Sequence, residues 1–187
     1  MKIMKKILFI AAIIFTFFCS AQEYPLNTDF KSIPSGAYLK DTNNELQRFI
    51  GTWKTTYNNQ EIVLDIQKND KRLIKFLNYS FYRDVILLRY TIKDINGTIL
   101  QSTMNRNIIN ANIESSYALP DNRVALLYSG DDCNVGSGRI YLEYIDSTRF
   151  KWSYSPEGLI FMEGECPPGS DLKVYLPKAK DLVFTKQ

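Results

Sequence analysis

From Gly51 onward, hydrophobic and polar residues alternate with a period of two. Ile62, Leu64 and Ile66 interleave with Val63, Asp65 and Gln67, and Ile86, Leu88, Tyr90 and Ile92 with Leu87, Arg89, Thr91 and Lys93. Phe150, Trp152 and Tyr154 do the same around Lys151 and Ser153. Successive side chains of a strand point to opposite faces, so this pattern predicts strands with one buried face. Asn58-Asn59, Asn69-Asp70, Asn96-Gly97, Asp146-Ser147 and Pro156-Glu157-Gly158 separate the runs as turns. Asn96-Gly97 is the strongest hairpin signal, because a type I′ turn needs positive φ at both central residues. Roughly eight to ten strands result, at the spacing of a barrel or sandwich. No strand–helix alternation is present, which excludes a doubly wound fold.

Before Gly51 the pattern changes. Gln22 to Lys40 reads as loop, with Pro25, Pro34 and Gly36 breaking any period. Asp41 to Glu45 supplies N-cap residues for a single short helical turn through Leu46–Ile50. Asn105 to Asn122 reads as a long connection with a short strand at Ile108–Ile113. The run from Lys173 to Thr185 predicts two short strands split at Pro177.

The first 21 residues stand apart. Lys2, Lys5 and Lys6 precede the apolar run Ile7–Phe18, and Cys19-Ser20-Ala21 sets small residues at the −3 and −1 positions of a cleavage site. The expected organisation is therefore a signal peptide over 1–21, an extension with its helical turn over 22–50, and an antiparallel β domain over 51–187. Export to the periplasm or beyond follows, with no integral membrane segment left after cleavage. Lipidation at Cys19 is the rival processing, and bulky Phe17 and Phe18 argue against it.

Removing the signal alters the charge. The full chain has 23 basic and 20 acidic side chains. Loss of three lysines leaves a balanced domain with no general field for nucleic acid. Of the three cysteines, Cys19 departs, and Cys133 and Cys166 are expected to form a disulfide in an oxidising compartment. The absence of histidine removes His-based triads and the usual zinc ligand sets.

Phe49-Ile50-Gly51-Thr52-Trp53-Lys54 resembles the opening of a lipocalin or fatty-acid-binding-type barrel, where a short helical turn precedes a Gly-x-Trp on the first strand. The resemblance implies that Trp53 plugs the closed end. No late arginine stands where that family packs one over the Trp, since Arg149 is followed by further strands. Ser20-Ala21-Gln22, Ser35-Gly36-Ala37-Tyr38-Leu39-Lys40-Asp41, Asn44-Glu45-Leu46 and Gly51-Thr52-Trp53-Lys54 resemble an uncharacterised exported-protein family of Bacteroidota, a domain of unknown function. That resemblance supports the fold and carries no activity.

The fold class expected is all-β, an antiparallel lipocalin-like barrel or related sandwich. Its function reads as non-enzymatic binding of a small apolar or amphipathic ligand in the barrel mouth, lined by Tyr90, Tyr144 and Trp152 over Trp53. A protein–protein or cell-surface interaction module is one alternative. A carboxylate hydrolase is another, because a Cys133–Cys166 bridge would draw Asp131, Asp132, Glu163 and Glu165 together. No catalytic residue, metal ligand or cofactor is expected.

Overall fold

The computed structural model describes residues 22–157 and 166–187. The signal read over 1–21, and Glu163 and Glu165 of the acidic group, lie outside the described residues.

Eleven strands follow one another: β1 (Glu23–Pro25), β2 (Tyr38–Lys40), β3 (Gly51–Tyr57), β4 (Gln60–Phe76), β5 (Tyr79–Lys93), β6 (Ile99–Ser102), β7 (Ile113–Leu119), β8 (Arg123–Tyr128), β9 (Gly138–Asp146), β10 (Arg149–Pro156) and β11 (Leu182–Lys186). Neighbours run β5-β4-β3-β11-β10-β9-β8-β7, and β7 pairs again with β5 at Leu87↔Glu114 and Leu88↔Ile113. That last pairing closes an antiparallel barrel of eight strands and removes the free edges an open sheet would carry. β6 pairs β5 from outside, while β1 and β2 join the far half of β5 in parallel.

The alternation does what it predicts. Ile62, Leu64, Ile66, Ile86, Leu88, Tyr90, Ile92, Phe150, Trp152 and Tyr154 all face one continuous core. Asn58 and Asn59 both take positive φ, the geometry of a two-residue type I′ hairpin. At Asn96-Gly97 only the glycine does so. Gly97 N–H instead closes a tight turn on the Asp94 carbonyl, and Asp94 Oδ1 accepts the Asn96 and Thr98 N–H groups. A three-residue hairpin with a left-handed glycine thus replaces the expected I′ turn.

Four other expectations are corrected. Asn69-Asp70 is a bulge within β4, not a turn: the register shifts between Asn69 and Arg72, Lys71 takes positive φ, and its N–H is recovered by the Asp84 carboxylate at 2.9 Å. β4 and β5 therefore run on past the barrel as a projecting hairpin. The 22–40 segment is not simply loop, since it holds β1, β2 and the buried Leu26, Ile33, Tyr38 and Leu39. Three-residue strands pairing in parallel leave no period to read. The chain from Lys173 to Pro177 forms no strand, and Ile108–Asn110 is a 3₁₀ turn that precedes β7.

One end of the barrel is plugged by aromatic rings. The 3₁₀ turn Gln47–Phe49 precedes β3, and Trp53 Nε1 donates to the Phe49 carbonyl at 2.7 Å. Phe150 packs against Trp53 (centroids 4.7 Å apart), Phe49 (5.9 Å) and Phe184 (5.3 Å). Asp41 ties down the chain ahead of this turn, accepting the Glu45 and Leu46 N–H groups. Lys186 at the end of β11 lies over the Trp53 ring, in the place where the sequence shows no arginine.

Candidate functional site

The opposite end, where a lipocalin-like cup would open, is covered. Cys133 and Cys166 form the expected disulfide with Cα atoms 5.7 Å apart. The chain beyond it brings Leu176 into the core, and the Pro177 carbonyl accepts Trp152 Nε1–H at 3.0 Å. Beneath lies a polar cluster: Tyr90 and Tyr128 hydroxyls both donate to Asp131 Oδ2, at 2.5 and 2.7 Å, and Asn112 Nδ2 donates to Oδ1. Burial, reinforced by the Asp131 charge, pushes the Tyr90 and Tyr128 hydroxyls well above the ordinary phenol range. Tyr154, also raised by burial, donates to the Gly136 carbonyl.

Trp53 lies among the rings at the closed end, and the residues expected to line a cup above it, Tyr90, Tyr144 and Trp152, face the core or pack against it. Trp53, Tyr90 and Trp152 are fully buried in the core, and Tyr144 is half-buried with the Arg48 guanidinium 5.5 Å above its ring. None of these four lines any of five surface clefts formed by the described residues. Asp131 is committed to the tyrosines, and Asp132 belongs to the 3₁₀ turn Asp132–Asn134. Among the described residues, no group of three or more His, Cys, Asp or Glu side chains is placed to hold a metal ion. No helix among them is long and apolar enough to cross a membrane.

The cleft whose chemistry fits a small ligand lies on the barrel flank. It has a volume of about 540 Å³ and runs between the 26–30 segment, the projecting β4–β5 hairpin, and β7 and β8. Three layers of sequence build it. Asp29 caps the 3₁₀ turn Phe30–Ser32 through the Lys31 N–H, which sets Phe30 against Phe81 in a stack 5.9 Å between centroids. The Tyr79 hydroxyl donates to the Ile33 carbonyl, fastening that turn to the hairpin. Outward-facing Tyr117 and Leu127 alternate with core residues on β7 and β8 and form the far wall. Leu127 is 52% exposed and Phe76 is 60% exposed, so the lining is apolar and open to solvent.

A single part-buried charge stands in this wall. The Arg83 side chain on β5 is 14% exposed and donates to the Ser115 and Ser116 carbonyls. Its Nε–H has no hydrogen-bond partner among the described residues. Glu114 is nearest among acids at 3.8 Å, but that carboxylate sits 2.8 Å from Arg72. Burial pulls the Arg83 guanidinium below its ordinary range, with Arg72 adding to the effect and Glu114 opposing it. Two guanidinium groups thus share one carboxylate.

The family model of DUF6705, a family of unknown function, matches residues 1–187. The chain belongs to that family. No curated protein and no solved structure matches it.

A larger cleft of about 800 Å³ runs along the outer faces of β8–β10 beside residues 178–181. Its lining sets Arg123, Arg139, Lys178 and Lys180 together with Glu143, Glu157 and Asp181, and none of these charged residues is buried. Sequence reasoning missed Arg83. The signal was present: Arg83-Asp84 sets two adjacent charges inside the strand that otherwise runs Phe81 to Ile92 with few polar breaks. Adjacent charges in a strand face opposite sides: Asp84 enters the packed side, which turns Arg83 toward the flank cleft.

Proposed function

We propose that this protein is an exported β-barrel that binds a small apolar or amphipathic ligand, without chemistry on it, in the flank cleft rather than in a central cup. The observation that carries the reading is the cleft itself: aromatic and aliphatic side chains around about 540 Å³ of open space, with one part-buried charge in the wall. Pockets that bury small ligands combine an apolar lining with few placed polar groups. The disulfide and the pattern of residues 1–21 support an exported chain.

The test is native mass spectrometry of residues 22–187 taken from the periplasm without detergent, paired with Nile red binding. Extra mass that vanishes on denaturation, and dye binding weakened by Leu127→Glu, are expected. A bare mass together with dye binding indifferent to that substitution overturns the reading.

An interaction module draws support from one feature, the tip of the β4–β5 hairpin. Leu77 there is 91% exposed, next to the exposed Phe76. Self-association in sedimentation that Leu77→Asp abolishes, with Nile red binding unchanged, would favour that reading over the first.

A further inference from the structure

We infer that the cleft selects ligands with an anionic head, a carboxylate on an alkyl or aryl tail, and that Arg83 receives the carboxylate; the inference rests on reading the cleft as a ligand site. Three observations converge on this class. First, the tail's environment is aromatic and aliphatic: Phe30, Phe81 and Phe76 on one side, Leu127 and Tyr117 on the other. Second, the one acid in the lining, Asp29, is exposed and makes no ion pair with Arg83 among the described residues. Third, Arg83 and Arg72 face a single carboxylate, Glu114, which lies closer to Arg72.

The electrostatic consequence is direct. Neutral carbonyls orient the Arg83 guanidinium without cancelling its charge, and its buried Nε–H has no hydrogen-bond partner among the described residues. In surroundings of low polarity a cation that shares one carboxylate with a second guanidinium is only partly compensated, and a further carboxylate supplies both opposite charge and acceptors matched to a guanidinium. A phosphate or sulfate head shares the charge. The planar two-oxygen carboxylate is the class that fits beside an apolar tail in about 540 Å³. A neutral alcohol of equal length would fill the same apolar space and leave the cation unanswered.

Isothermal titration of residues 22–187 with decanoate and with decan-1-ol separates these cases. Decanoate is expected to bind about tenfold or more tightly than decanol, the size of a charge-assisted hydrogen bond. Arg83→Met should erase that preference while keeping decanol affinity, and Arg83→Lys should keep part of it. Circular dichroism checks that both variants fold. Leu127→Glu should weaken both ligands. Equal affinities in the unsubstituted protein overturn the carboxylate inference and leave the cleft as a ligand site. A preference that persists in Arg83→Met and Arg83→Lys alike removes Arg83 from the role. Decanol binding that ignores Leu127→Glu, or no binding of either molecule, overturns the site itself.

Discussion

Lys186 lies across the indole of Trp53, its Nζ 5.1 Å from the ring centroid. The two are register partners where β11 meets β3, so the last strand of the chain places a cation on the Trp of the first barrel strand. Gly51 completes the arrangement. Its φ is +129°, and a Cβ there would stand 2.9 Å from Lys186 Cε. Gly51→Ala is expected to cost about 1–3 kcal/mol in urea denaturation, because the backbone conformation is strained for any L side chain. Lys186→Ala should cost about 0.5–1 kcal/mol, the scale of an exposed cation–π contact. The double variant should remain as unstable as Gly51→Ala, since clearing the lysine relieves the clash but not the backbone.

The Cys133–Cys166 bridge spans 33 residues of sequence. Chain-entropy reasoning gives about 3–4 kcal/mol for closing such a loop. The paired substitution Cys133→Ser, Cys166→Ser should lower stability by that amount without altering the barrel's circular dichroism, because the bridge lies outside the strand ladder. Loss of the barrel signal would show that the cover over this end is part of the fold's nucleus.

Asp84 is the acid-sensitive point of the hairpin base. Burial works against its charge, yet the Tyr38 hydroxyl, the Asp41 and Lys71 N–H groups and Lys68 outweigh burial and hold its pKa below the ordinary carboxylate value. A carboxylate lowered in the fold contributes stability above its unfolded pKa, about 3.9. That contribution disappears as pH falls through the lower folded value. Asp84→Asn should therefore flatten the acid limb of stability against pH and cost about 2–3 kcal/mol at neutral pH. An unchanged acid limb would place the sensitivity elsewhere.

Tyr38, Tyr90, Tyr128 and Tyr154 respond in the opposite direction. Burial raises all four hydroxyls above the ordinary phenol value, with Asp84 adding to it at Tyr38 and Asp131 at the others. A group raised in the fold contributes stability below its unfolded pKa, about 10 for tyrosine, and that contribution is lost as pH rises. The phenolate absorbance of these four should appear only as the protein unfolds in alkali, so the titration should show hysteresis. Asp131→Ala should cost about 1–3 kcal/mol for each hydroxyl it orphans. Smooth reversible titration of every tyrosine would contradict this.

Period-two alternation on β4, β5 and β10 was enough to determine an all-β chain and most of its core, because a strand buries every second residue whatever its neighbours. Gly51 and Trp53 marked the first barrel strand, and the two cysteines marked the bridge. What alternation leaves open is which strands meet. Closure depends on the short pairing of β5 with β7 at Leu87 and Leu88, and local sequence carries no record of a contact made so far along the chain. The same limit governs the site. Tyr90 and Trp152 read as cup lining, but an inward side chain lines a cavity or fills a core according to what its partners occupy. Here Asp131, Leu176 and Pro177 meet them from distant segments. Arg83, Phe30 and Leu127 belong to three stretches with no common pattern. Only the tertiary structure, by bending the β4–β5 hairpin's base against the N-terminal segment and the β7–β8 wall, made them one surface.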